Sequence, residues 1–295
     1  MASDAQPVIG IVGGSGIYEL DGLEAARWET VESPFGTPSD ALLFGRLGGV
    51  EFVFLPRHGR GHRLPPSEVD YRANIDALKR AGVTDLVSVS ACGSLREDLT
   101  PGTFVIVDQF IDRTVARKRS FFATGCVAHV SMARPVCSRL GDAVEAAASA
   151  VGVRATRGGT YLAMEGPQFS SRAESELYRS WSCDVIGMTN MPEAKLAREA
   201  ELCYASVAMV TDYDCWHEEH DAVAVTDILE MLARNADHGR ALVAELPPRL
   251  VGRPVPCPDG CNRALDTALI TPPEARNPEL LARLDAVAGR VLGGA

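Results

Sequence analysis

The chain has 295 residues, 46% hydrophobic and 23% charged, with a formal net charge of −10. That balance belongs to an ordinary globular protein rather than a disordered one, and an acidic surface repels nucleic acid and anionic membranes. No apolar run reaches the ~18 residues of a membrane helix, and the opening MASDAQPV lacks the charged and apolar regions of a signal peptide, so a cytoplasmic protein is expected.

The first element is the apolar run PVIGIVGG, which breaks into Gly-Gly-Ser-Gly at Gly13–Gly16. Glycines let backbone N–H groups close on an anion, but the stretch has neither the P-loop lysine nor a full dinucleotide fingerprint, so a plain tight turn fits it equally well. The next strand-like run, EFVFLP, leads directly into Arg57, His58, Arg60, His62 and Arg63. A guanidinium fork beside an imidazole suits an anion clamp; a solvated basic turn is the alternative. Helical spacing follows over Ser67–Ala81. The run TDLVSVSACGS then ends on Ser90, Ala91, Cys92 and Gly93, small enough for phosphate or sugar to approach.

After the strand-like GTFVIVDQF, the pattern is helical over Ser138–Val151, extended over GTYLAMEGP, and helical again over Ser170–Ser180. Glu165 and Phe169 flank the Gly-Pro turn there; Phe169 could stack on a planar ring or pack in the core. CDVIGMT places Met188 and Thr189 before a helix at Pro192–Ala200. LCYASVAMVTDYD, the most apolar run, ends on Asp212 and Asp214, which lie on one side of an extended chain. One of them could cap a helix, whereas burying both without a partner is costly.

A long helix is expected over Asp221–Leu246, then a proline-rich arm, then a last helix capped by Asn277 with Pro278 in its first turn and a Leu280, Leu284, Val287, Val291 stripe. Strands alternating with helices predict a single α/β domain with a mixed, largely parallel central sheet flanked by helices. Residues 1–246 form its body, and 247–295 an arm and helix packing on it or on a neighbouring subunit. The eight cysteines, at 92, 126, 137, 183, 203, 215, 257 and 261, are too scattered for a disulfide framework, and free thiols are expected. Cys257 and Cys261 have Cys-x3-Cys spacing with no second pair nearby in sequence, which argues for a Pro-Asp-Gly turn and against zinc.

Taken in order, GIVGGSGIYEL, SPFGTPSDAL, PRHGRGH, SACGSLRED, DQFIDRT, EGPQFSSRAES, GMTNMPEAKLAREA and CYASVAMVTDYDCW resemble the trimeric nucleoside phosphorylase family, in its 5′-methylthioadenosine branch. The resemblance runs from about Ile9 to Leu246 and fades in the tail. It implies a homotrimer in which phosphate cleaves a 5′-deoxy-5′-substituted adenosine to adenine and the substituted ribose 1-phosphate, with no metal and no redox cofactor. It further implies that Ser15, Arg57, His58, Ser90, Ala91 and Thr189 surround phosphate, and that Phe169 and Met188 cover base and ribose. Asp212 and Asp214 would face the purine edge. His129 from a neighbouring subunit would meet Val223, Val225 and Ile228 at the 5′ group. Cys137 and Cys203 match positions where some relatives pair cysteines. Gln168, Gly187 and Asn190 depart from the expected pattern.

The chemistry agrees with that assignment. Breaking the N-glycosidic bond leaves positive charge on the sugar and negative charge on the base, so an anion is needed on one face and a proton donor at N7. Asp212, protonated through burial, is the expected donor and Asp214 the acceptor for the 6-amino group. A 6-oxopurine phosphorylase is the alternative, for which a donor such as Asn would be expected at the aspartate pair. A non-catalytic nucleoside-binding module is a more distant one.

Overall fold

The computed structural model describes residues 6–14, 16–217 and 225–293, with side chains from residue 230 in the last segment. Ser15 and Val223, and the side chains of Val225 and Ile228, therefore lie outside the described residues.

The sheet is built on strand β1 (Val8–Gly13), flanked in parallel by β4 (Val50–Pro56) and β5 (Asp85–Ser94). Side chains alternate between its two faces with period two, as the pleat requires. Ile9, Phe52, Phe54, Val87 and Val89 enter one core, while Val12, Val53, Leu55 and Leu86 enter the other. Burial on both faces explains why these strands read as nearly unbroken apolar runs. Antiparallel strands β2 (Glu24–Glu29) and β3 (Leu42–Leu47) extend the β4 edge.

On its other side β5 pairs in parallel with β11 (Cys203–Asp212), to which β6 (Phe104–Val107) adds antiparallel and β8 (Ala155–Arg157) beyond it in parallel. The run read as GTFVIVDQF divides at Asp108. Its second half, β7 (Gln109–Asp112), pairs instead with β9 (Thr160–Ala163), and β9 with β10 (Val185–Gly187). The expected mixed, largely parallel sheet is present.

Helix α1 (Tyr71–Arg80) starts where the Asp70 carboxylate accepts from the Ala73 N–H, and α3 (Arg172–Ser180) where Ser171 and Glu174 form a reciprocal capping box. On one face lie α1 and α4 (Asn190–Glu199); on the other lie α2 (Ser138–Ala150), α5 (Val225–Ala244) and α6 (Pro247–Leu250). Asn277 caps the terminal helix as expected, but the helix breaks at Leu284 into α7 (Pro278–Arg283) and α8 (Asp285–Leu292). No described helix is long and apolar enough to cross a membrane.

The arm is part of the body. Leu250, Cys257 and Cys261 enter one core, and Leu265, Leu280, Leu284 and Val287 the other. It also corrects the reading of Cys257 and Cys261, because the second pair that is distant in sequence is adjacent in space. The sulfurs of Cys137, Cys203, Cys257 and Cys261 all lie within 4.8 Å of one another. Cys137 and Cys203 are thus neighbours, as expected, and all eight cysteines are free thiols.

Candidate active site

The site follows from an irregularity of the sheet. Strand β1 pairs with β5 only as far as Ser88, and β10 joins the same edge antiparallel at Gly93 and Ser94. Between these points the β5 edge is open, and the carboxyl ends of β1, β4, β10 and β11 surround it, the position where open α/β sheets bind ligands.

At the end of β4, Arg57 is neither a free clamp nor a solvated turn. It is 1% exposed, with Nε donating to Glu193 Oε2 at 2.8 Å and Nη2 to Glu193 Oε1 at 3.2 Å and Ser88 Oγ at 2.6 Å. Nη1 donates to the Val89 carbonyl at 3.1 Å, and Tyr204 Oη donates to Glu193 at 2.9 Å. A cation buried here needs its counter-charge, and Glu193 supplies it. His58 is buried beside it. Its Nδ1 lies 2.9 Å from the Leu64 carbonyl, so Nδ1 carries the proton and Nε2 remains an acceptor. Burial, and then the Arg57 charge, lower its pKa to about 4, which leaves a neutral imidazole.

Facing this pair across the opening are Ser90, Ala91 and Thr189. Asn190, fully buried, ties them together: its Oδ1 accepts from Ser90 Oγ at 3.3 Å and Thr189 Oγ1 at 3.4 Å, and its Nδ2 donates to Ser206. Met188 and Thr189 are fixed from behind by Arg117, whose Nη1 donates to the carbonyls of Met188 and Met191, both at 2.6 Å. Arg117 Nη2 donates to the Glu165 carbonyl at 2.8 Å, and the Glu165 carboxylate accepts from the Val115 and Ala116 amides. Glu165 is therefore a tie between loops. The turn it opens lays Gly166, at φ +68°, against the Met188 sulfur and leaves Phe169 65% exposed, so Phe169 is not a core residue.

Asp212 and Asp214 close the far end. Asp212 accepts from Thr211 Oγ1 at 2.6 Å and from the Asp214 amide at 2.8 Å. Asp214 is held at φ +53°, a strained position for a side chain other than glycine, and its Oδ2 is buried without a hydrogen bond. Burial raises both carboxyl pKa values. A Cβ on Gly93 would sit 3.0 Å from Asp212 Oδ1 and 3.3 Å from Asp214 Cβ, so the site needs that glycine. His129 is exposed on a loop whose backbone pairs with Ala268 of the arm.

Arg117 and Glu193 were not singled out as functional residues in the sequence. Each serves by holding another group, and nothing local in sequence marks such a role.

Residues 8–246 match the model of the phosphorylase superfamily. S-methyl-5′-thioadenosine phosphorylases of Rhodospirillum rubrum and Cereibacter sphaeroides are 65% and 67% identical, over 98% and 97% of this chain and 98% and 99% of theirs. The chain belongs to the methylthioadenosine phosphorylase family. Among solved structures, a methylthioadenosine phosphorylase from an antarctic soil metagenomic library superposes with a TM-score of 0.89 at 46% identity, covering 96% of this chain and 99% of that one. The Schistosoma mansoni methylthioadenosine phosphorylase in complex with adenine gives 0.76 at 38% identity, covering 82% and 91%.

Proposed function

We propose that this member of the family cleaves 5′-methylthioadenosine, or a close 5′-deoxy-5′-substituted adenosine, with inorganic phosphate, releasing adenine and the 5-substituted ribose 1-phosphate. The observation that carries this reading is the Asp212–Asp214 pair at the end of β11, Asp212 half-buried and Asp214 buried, with both carboxyl pKa values raised and Asp214 Oδ2 left without a hydrogen bond. A carboxyl whose pKa is raised by burial is a suitable donor to N7 as the glycosidic bond lengthens, and a second carboxyl can accept from a 6-amino group. A 6-oxopurine would ask for a donor there, so the alternative is disfavoured. The identity to named phosphorylases supports the same reading.

Phosphate then sits in the open β5 edge, against the glycine turn with Ser15, the Ser90 and Thr189 hydroxyls, the Ala91 backbone and the His58 ring. Arg57 lies behind it as a positive charge that orders the strand ends. The anionic charge of phosphate stabilises the cationic sugar in the transition state, so the reaction needs no metal or redox cofactor. Phe169 and Met188 cover base and ribose, Val225 and Ile228 line the 5′ pocket, and His129 reaches that pocket of a neighbour in a cytoplasmic homotrimer. Neither nucleic acid nor membrane is a partner.

Mixing the protein with methylthioadenosine should release adenine only when phosphate is present. Phosphate-independent release, or nucleoside binding without release, would reject the proposal.

A further inference from the structure

Far from the strand ends, the four-cysteine cluster has a geometry of its own. Cys137 is the N-cap of α2, Cys203 opens β11, and Cys257 and Cys261 lie on the arm, in a turn whose Gly260 stands at φ +69°. All four are buried, and Cys137 Sγ lies 3.7 Å from Cys257 Sγ. A tetrahedral ion with metal–sulfur bonds of about 2.3 Å places its ligand sulfurs about 3.8 Å apart. The span within 4.8 Å accommodates one such ion but is too narrow for an iron–sulfur cluster with its bridging sulfides.

We infer that Cys137, Cys203, Cys257 and Cys261 form a tetrathiolate site for a single zinc ion, which pins the C-terminal arm to the body. Binding converts four thiols to thiolates, releases four protons and leaves a site of net charge −2. The surroundings carry both signs of charge, with Asp85, paired to Arg139, near Cys203 and Asp259 near Cys137 and Cys257. Arg139 lies against Cys203 and Arg198 close to Cys261, and each has a buried Nε without a hydrogen-bond partner. The turn is held independently of the sulfurs, the Asp259 carboxylate accepting from Ser138 Oγ at 2.7 Å and the Cys257 N–H donating to Asn262 Oδ1 at 3.0 Å. A cavity of about 600 Å³ lined by Ser138, Pro258, Asp259 and Arg198 lies beside chain neighbours of the cluster.

The test is metal analysis of the full chain purified under reducing conditions without chelator, then with zinc alone added. About one zinc per chain is expected, falling to about a tenth or less in Cys257→Ser/Cys261→Ser. Cobalt added to the metal-stripped wild-type chain should give the visible bands of a tetrahedral thiolate site, a readout that requires no variant to fold. Stripping the metal should lower the thermal unfolding midpoint by more than about 5 °C while kcat below that temperature stays unchanged. Wild-type protein that takes up no zinc and gives no cobalt bands, whether its four thiols alkylate freely or are found in disulfides, would overturn the inference.

Discussion

At the scale of single residues, the aspartates at the end of β11 differ in what they can do. Asp212→Asn removes the transferable proton, and kcat with methylthioadenosine should fall by about 10²–10⁴-fold with the fold intact. Asp214→Asn presents an amide donor toward position 6 instead. The ratio of kcat/KM for the inosine analogue over the adenosine analogue should therefore rise, and this ratio is insensitive to how much protein is active. Rates and base preference close to wild type for both variants would make the pair structural. Arg57 calls for a different measurement. Because its charge is neutralised by Glu193 within the core, Arg57→Ala should cost about 3–5 kcal/mol of stability in denaturant unfolding, the penalty for a buried ion left alone. Adding Glu193→Gln should recover part of that loss. If Arg57→Ala instead weakened phosphate binding and left stability unchanged, the ion pair would not be what holds the guanidinium.

Among the elements, β9 and β10 show how one small residue sets the shape of a strand end. Gly187 departs from the expected family pattern, and a Cβ there would lie 1.9 Å from the Tyr161 hydroxyl. Gly187→Ala should therefore destabilise the protein by about 1–3 kcal/mol, and Tyr161→Phe in the same chain should restore only part of it, since the ring carbon that bore the hydroxyl still lies 2.7 Å from the new Cβ, as thermal unfolding of the single and double variants would show. The sequence revealed the elements unevenly for physical reasons. Strands buried on both faces and helices with a cap were legible, because burial and capping leave a periodic or positional mark. Strand β2 was not, since all six of its residues are exposed and it has no apolar face to repeat. In the site, the residues at strand ends stood out. The partners that hold them, Glu193 for Arg57 and Asn190 for Ser90, lie 136 and 100 positions away and become visible only once the chain is folded.

For the molecule as a whole, stability should depend on pH through Glu199, buried on α4 where its carboxylate accepts from the Phe121 amide at 2.7 Å and Ser120 Oγ at 2.8 Å. Burial raises its pKa from 4.5 to about 7. The fold thus favours the protonated form. Its contribution is fully present below the unfolded value and is lost as pH rises through about 7. Glu199→Gln should flatten the fall in stability between pH 5 and 8, by roughly 1–3 kcal/mol across that window. A pH profile of unfolding unchanged by the substitution would remove Glu199 from the account. A trimer is expected from mass measurement in solution, and a fully active monomer would exclude the shared 5′ pocket.

The path of the arm also bears on how the chain is made. A polypeptide leaves the ribosome from its N-terminus, and domains fold as their segments emerge. Here Leu250 and Cys261 belong to one core and Leu284 and Val287 to the other, so neither core is complete until translation is nearly finished. Nascent chains stalled before Leu250 should therefore remain protease-sensitive and engage chaperones, although every residue of the proposed catalytic site has already been synthesised.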